Sequence, residues 1–205
     1  MEAIMKDLII NRRSIRKYTN YKISKEELTK IIDESLKAPS SNNLQPLKLL
    51  VIDSDEAKRT LKTIMPMNQL QLETSSQLVL IFGDTLKYER AEELFKLAHE
   101  AGKMPLELIE RHLTKFRTQQ IDPTDAKHIA SLHLDAGLFA MNFMTLARYY
   151  GYDTCAIGGF NKDLANEAFK IDSRYVPILL ISIGKKDDEG YDSYRLPASI
   201  VADFI

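Results

Sequence analysis

Residues 123–150 constrain this chain more than any other segment. From Ala136 to Ala147 the sequence AGLFAMNFMTLA is uncharged and apolar on nearly every side of a helix. Asp122 stands where a cap is needed, Pro123 suits the first helical position, and Gly151 suits the exit. A helix that is greasy all round must be covered all round. In a chain of 205 residues that leaves two outcomes: the helix runs through the core, or part of it packs on another subunit. The run from 136 to 147 is shorter than the 18–20 residues or so that a membrane span requires, so no membrane contact is expected.

The rest of the chain is expected to supply a matching core. Apolar residues make up 44% and charged residues 28%, which excludes a wholly disordered chain. The formal net charge of −1 lacks the basic surplus of a nucleic-acid binder. The single cysteine, Cys155, cannot form an intrachain disulfide, and acids interrupt the first residues before a signal-type apolar run develops. A cytoplasmic protein of one domain, residues 1–205, is expected.

The other elements follow from periodicity. Residues 2–11 form a short amphipathic helix. Ser24 and Glu27 make a capping box ahead of Leu28, Ile31, Ile32 and Leu36, and Pro39 stops that helix. Lys48–Asp53 reads as a strand and Glu56–Ile64 as a helix. Gln77–Asp84 reads as a buried strand. Residues 86–121 are charged and weakly periodic, and read as helical pieces of an excursion beside a site mouth. Asp153–Ile157 and Val176–Gly184 are strands flanking a helix over Lys162–Phe169. The tail ends in apolar Ile200, Val201, Phe204 and Ile205, which need a docking surface.

Three segments can carry chemistry. Arg12, Arg13, Arg16 and Lys17 form a cationic run containing Ser14. It is either a solvated surface or a phosphate clamp, since arginine offers a planar fork of donors suited to phosphate. The loop Pro39–Pro46 holds Ser40, Ser41, Asn42, Asn43 and Gln45. It is a polar turn or a set of donors and acceptors for a heteroaromatic edge or a sugar chain. Cys155-Ala156-Ile157-Gly158-Gly159-Phe160 is a plain strand exit or a place where backbone approaches a flat ligand. His128 and His133 are five apart, unlike a zinc-helix pair. No metal site, P-loop, dinucleotide-binding fingerprint or nucleophile elbow is present.

The order of these motifs resembles the FMN-dependent nitroreductase family. Arg12-Arg13-Ser14-Ile15-Arg16 follows one helix, and Ala38-Pro39-Ser40-Ser41-Asn42-Asn43-Leu44-Gln45-Pro46 follows the next. Ala156-Ile157-Gly158-Gly159-Phe160 follows the long helix, and Arg195-Leu196-Pro197 lies near the end. The resemblance implies an α+β fold: a three-layer α-β-α sandwich around a mostly antiparallel sheet, in an intertwined homodimer with FMN at the interface. It implies that Arg12 and Arg195, with Arg13 beside them, bind phosphate and that Ser14 contacts the ribityl or phosphate. Arg16 would face the flavin N1/O2 edge. Pro39, Ser40, Ser41, Asn43 and Gln45 would be lent by the partner subunit. Ile157, Gly158 and Gly159 would back the ring, one amide reaching N5.

The implied reaction is ping-pong. NAD(P)H reduces the flavin and leaves, and a small-molecule acceptor such as a nitroaromatic or quinone takes its place. Arg16, Gly158 and Gly159 are then the residues closest to the chemistry. A same-fold flavin dehydrogenase or enone reductase, and a non-catalytic flavin-binding protein, are the alternatives. The chain departs from the family at Leu47, where many members carry Trp, and at Gly158, where enteric-type enzymes carry Glu. It departs again at Ser193, where some carry Lys, with Lys185 as the cation to compensate.

Overall fold

Strand β2 (Gln77–Asp84) is buried at all eight positions, as its unbroken apolar run requires. In the computed structural model, which describes residues 2–118 and 122–205, β2 is flanked by β1 (Leu47–Ile52) and β4 (Tyr175–Gly184). Strand β3 (Asp153–Ile157) completes the sheet, in the order β1-β2-β4-β3 with every pair antiparallel. The ladder centres on Leu50, Leu80 and Leu180. Its register slips after Ile81, which pairs with Leu179, to Phe82, which pairs with Pro177. A proline cannot donate to the ladder, so a bulge is where a central strand tolerates one.

Period-two alternation divides the sheet between two cores. Val79, Ile81, Ile181 and Ile183 face one helical layer. It consists of α2 (Lys25–Ser35) and α7 (Ala126–Tyr149). Leu78, Leu80, Phe82 and Leu180 face the other, made by α3 (Asp55–Ile64), α4 (Gln69–Thr74) and α8 (Lys162–Phe169). This is the expected three-layer α-β-α sandwich. Helix α1 (Glu2–Ile10) leads into the cationic run.

Local signals set most boundaries. The Ser24–Glu27 capping box closes in both directions, Glu27 N to Ser24 Oγ at 3.1 Å and Ser24 N to Glu27 Oε2 at 3.0 Å. Ser54 and Asn161 cap α3 and α8. Helix α2 ends at Ser35, short of Pro39, because Lys37 and Ala38 turn back onto Glu34 and Ser35. Six-residue α4 had no periodicity to announce it.

Helix α7 starts later than the sequence suggests. Asp125 caps it, accepting from Lys127 N and His128 N. Asp122 instead closes its own turn on Thr124, through the amide at 2.8 Å and the hydroxyl at 2.7 Å. Of the two outcomes expected for this helix, burial on every side within one subunit is not the one found. Leu132, Ala136, Phe139, Ala140, Phe143 and Ala147 are buried against the sheet and α2, while Leu134, Leu138 and Met141 are exposed. The whole helix reaches the length and hydropathy of a membrane span, a test that the core helix of a globular protein also passes. Its buried stripe carries Asp135 and His128 as well.

Two segments leave the sandwich. Residues 87–118 form a 3-10 turn and a helical hairpin, α5 (Ala91–Glu100) and α6 (Leu106–Thr118). They enclose a separate small core of Phe95, Ile109, Leu113 and Phe116 on Leu44. Residues 119–121, the end of the expected excursion, lie outside the described residues. Beyond Gly190 the tail is exposed throughout, including Leu196, Phe204 and short helix α9 (Ala198–Val201). The subunit therefore exposes 12720 Å², well above the roughly 9,800 Å² of a closed monomer of this mass.

Packing between β2 and α7 is tight at Gly83. A Cβ there would lie 2.8 Å from Leu132 Cβ and 3.0 Å from Ile178 Cδ1. Gly83→Ala should cost about 1–3 kcal/mol in overpacking, read as a lower urea midpoint with an unchanged slope. An unchanged midpoint would show that the layer can spread.

Candidate functional site

The cationic run is built onto the sheet edge. Ser14 forms a parallel bridge with Thr154 of β3, and Ile15 N donates to Thr154 O at 3.1 Å. Ile15 is buried. Arg148 of α7 fixes the preceding helix. It donates to both Asp7 carboxylate oxygens at 3.1 Å and to Asp153 Oδ1 at 2.9 Å. The Asp7 carboxyl is held below its usual range, first by the Asn11 amide and then by Arg148.

Extended backbone sends alternate residues to opposite sides. Arg12, Ser14 and Arg16 lie on the side of Cys155, whose thiol feels all three. Arg13 lies on the other side, beside Gly190. It is committed to Asp192, at 3.1 Å from Nη2, and to the Ile10 carbonyl. The other arginines differ. Among the described residues the Arg12 guanidinium makes no hydrogen bond or ion pair. Among the described residues, Arg16 meets only the Ser14 carbonyl, at 3.1 Å, and the Tyr191 ring, at 5.2 Å, and the Arg195 side chain meets only the Tyr194 carbonyl.

These three arginines converge. Arg12, Arg16 and Arg195 line one cavity of about 320 Å³ with Ser14, Ser193 and Tyr191, and Arg13 and Asp192 stand in its wall as a closed pair. An adjoining cavity of about 260 Å³ shares Arg16 and Tyr191 and adds Gln71. The exit of β3 borders this region. Gly158 and Gly159 are exposed and Ile157 is buried. A Cβ on Gly158 would meet nothing within 4 Å, and one on Gly159 would sit 3.3 Å from Asn68 Nδ2. Burial raises the Cys155 thiol pKa, with Arg16 opposing.

Asn68 and Gln71 went unnoticed in the sequence. Asn68 adopts φ 60° and its Oδ1 accepts from Gln71 Nε2 at 3.2 Å. The amide-rich stretch Asn68-Gln69-Leu70-Gln71 after Pro66 was the available signal. Lys185 is placed away from the arginines. Its ammonium lies over the rings of Tyr21, at 5.0 Å, and Tyr152, at 5.3 Å. It therefore does not replace the cation missing at Ser193.

The loop over residues 39–46 forms a second cluster. Asn42, Asn43 and Gln45 all have positive φ, between 48° and 55°. Ser41 donates from N and Oγ to Asp135 Oδ1, at 2.9 and 3.0 Å, and Gln45 N donates to Ser40 Oγ. Pro39, Ser40 and Gln45 line a cavity of about 190 Å³ with Leu36, Leu94 and Phe139. Ser41 and Asn43 stand on the same turn. This cavity has no lining residue in common with the arginine cavity. Within one subunit the two halves of the expected site do not meet.

Among the described residues no group of three or more His, Cys, Asp or Glu side chains gathers as a metal site. His128 Nε2 instead lies 2.8 Å from the Thr85 carbonyl.

A sheet edge carrying three arginines at one cavity offers donors of the kind that suit a phosphorylated ligand. Residues 9–185 match the Nitroreductase family, and the chain belongs to that family. A provisionally named NAD(P)H nitroreductase of Bacillus subtilis, YdgI, is 43% identical over 97% of this chain and 96% of its own. The enone reductase of CLA biosynthesis from Lactiplantibacillus plantarum is 32% identical, over 97% and 93%. The crystal structure of a provisionally named nitroreductase from Exiguobacterium sibiricum, in complex with FMN, superposes with a TM-score of 0.92. It is 43% identical and covers 97% of this chain and 96% of that one.

The buried thiol gives a direct check on the site wall. With its pKa raised, Cys155 should resist iodoacetamide at pH 8 in the native protein and react at an ordinary rate in urea. Rapid native alkylation would mean that the β3 edge is open.

Proposed function

We propose that this chain is an FMN-dependent oxidoreductase that uses NAD(P)H to reduce nitroaromatics, quinones or similar acceptors. The carrying observation is that Arg12, Arg16 and Arg195 line one cavity without a carboxylate partner among them. Arg13, Arg148 and Arg174 are paired with carboxylates. Three arginines gathered at one cavity without such a pair supply the charge a phosphate dianion and an electron-rich ring edge require. The glycines at the β3 exit leave space for a flat ring. The donor set therefore fits FMN.

When bound, FMN would supply the hydride chemistry that connects NAD(P)H to an acceptor. The chain's own residues bind and orient. Arg12 and Arg195 hold the phosphate, with Arg13 braced beside them by Asp192. Ser14 adds a hydroxyl toward the phosphate or ribityl chain. Arg16, fixed by the Ser14 carbonyl, stabilises negative charge at the reduced ring, as a preorganised cation does at an oxyanion. Ile157, Gly158 and Gly159 back the ring with main chain, and Asn68 and Gln71 present amides to the same region. No protein acid or base is required, because solvent supplies protons.

The other half of the site comes from a second copy, in this reading. Pro39, Ser40, Ser41, Asn43 and Gln45 lie apart from their own subunit's arginines but would reach the partner's flavin. Exposed Leu134, Leu138 and Met141 form an outward stripe on α7. The apolar tail and the excess surface require cover as well. Each chain is one domain, residues 1–205, with its tail docked on the partner, and the dimer works in the cytoplasm.

A second reading changes only the acceptor. The Lactiplantibacillus relative is an enone reductase, and the cavity beside Ser40 is walled by Leu36, Leu94 and Phe139. Sustained NAD(P)H oxidation with menadione or nitrofurazone supports the first reading. Turnover confined to α,β-unsaturated ketones would replace it with the second.

The flavin assignment is tested by the spectrum of the purified protein before and after anaerobic NADH and NADPH. A yellow protein bleached by either is expected, and one that never takes up FMN would refute the assignment. Arg12→Ala should weaken FMN binding about ten- to a hundredfold while changing riboflavin binding little, because a charge-assisted phosphate contact contributes about 1.5–3 kcal/mol. Equal losses for both ligands would remove Arg12 from the phosphate site. Leu138→Asp should shift the particle to one subunit in sedimentation and release FMN with it. An intact dimer would exclude the α7 stripe as the seam.

A further inference from the structure

Asp135 and Lys87 are a buried ion pair that the reading above does not use. Their side chains are each 1% exposed, with Lys87 Nζ 3.9 Å from Asp135 Oδ2. Lys87 Nζ donates to Ser131 Oγ at 2.8 Å, and that hydroxyl donates to the His128 carbonyl. Asp135 Oδ1 accepts both donors of Ser41, whereas Oδ2 has no hydrogen-bond partner and Asp135 lines the cavity beside Ser40.

Stability alone does not account for this arrangement. Withdrawing two charges from water costs several kcal/mol per ion, and apolar replacements of a buried pair are often neutral or better. Here the attraction acts across a loose 3.9 Å. Burial pulls the Lys87 pKa down, with Asp135 opposing. What the pair does achieve is geometric. Asp135 belongs to α7, Ser41 to the loop over 39–46, and Lys87 to the turn that opens the 87–118 hairpin. One carboxylate therefore ties three segments distant in sequence.

The loop needs such a tie. Three of its residues hold positive φ without being glycine, a conformation that persists only where the surroundings over-determine it. Leu44 is buried against the hairpin and Asp84 N donates to the Pro46 carbonyl at 2.7 Å, and at the Ser40–Ser41 turn the paired donors of Ser41 fix the loop to the body.

We propose that Asp135 and Lys87 are positioning residues: they lock the Ser40–Ser41 turn in the conformation that meets the partner's flavin and couple it to the 87–118 hairpin. This rests on the flavin reading above, and it adds that the turn is set from behind, by a buried charge pair.

Three proteins test it: wild type, Asp135→Asn, and Asp135→Asn combined with Lys87→Met. FMN affinity, the visible circular dichroism of bound flavin, kcat and KM with menadione, and the melting temperature are measured on each. Asp135→Asn should bind FMN at least tenfold more weakly, with an altered flavin band and kcat falling more than KM. The double variant removes the stranded ammonium and should recover the melting temperature. It should not recover FMN affinity or the flavin band, since the loop still lacks its anionic anchor. If the single variant does not fold, the double carries the test.

Wild-type affinity and spectrum in Asp135→Asn, or their full return in the double, would overturn the proposal while leaving the flavin assignment standing. A wild type that binds no FMN would defeat the assignment itself, and the positioning role with it.

Discussion

The packing of α7 on the central sheet is the contact on which the other features depend. Phe139 and Phe143 are buried, with Leu132, Ala136, Ala140 and Ala147, against strands whose own side chains are at or near zero exposure. Large side chains buried this way stabilise by about 1.5–3 kcal/mol each. Because a helix presents one stripe to a sheet, the same packing turns Leu134, Leu138 and Met141 outward. It places Arg148 where it holds α1 and Asp153, and Asp135 where it reaches Ser41. The scaffold, the outward apolar stripe and the placement of the 39–46 loop are thus set by one helix.

Edge pairing explains how a cationic run becomes an ordered surface. Four cations in six residues would repel and fray in solution. The bridge from Ser14 to Thr154 and the burial of Ile15 give the run the pleat of a strand. The pleat sorts it, sending Arg13 to Asp192 and leaving Arg12 and Arg16 together with Arg195. Family membership accounts for the order of these motifs along the chain, and the geometry accounts for which of their arginines share a cavity.

The legible parts of the fold were those governed by neighbours in sequence. Gln77–Asp84 and Asp153–Ile157 have the limits that their apolar runs and flanking turns imply, and the Ser24–Glu27 box forms as its spacing requires. Legibility failed where two local solutions competed. Asp122 and Asp125 can each cap a helix. The chain uses Asp125 because Asp122 is already satisfied by Thr124. Helix α4 is too short to show a period, so Asn68 and Gln71 were missed together with it. Lys185 failed for another reason: its aromatic neighbours, Tyr21 and Tyr152, are more than thirty residues away along the chain.

By itself the sequence determined most of the elements, the buried central strand, the family and the residue types able to grip a phosphate. All of these depend on interactions within a few residues or on motif order. Only the tertiary structure decided which arginines remain unpaired, which face of α7 stays uncovered, and that the 39–46 loop stands apart from its own subunit's arginines. It also decided that Asp135 and Lys87 meet at all, since charge pairing and burial depend on which distant segments share a surface, and spacing along the chain does not encode that.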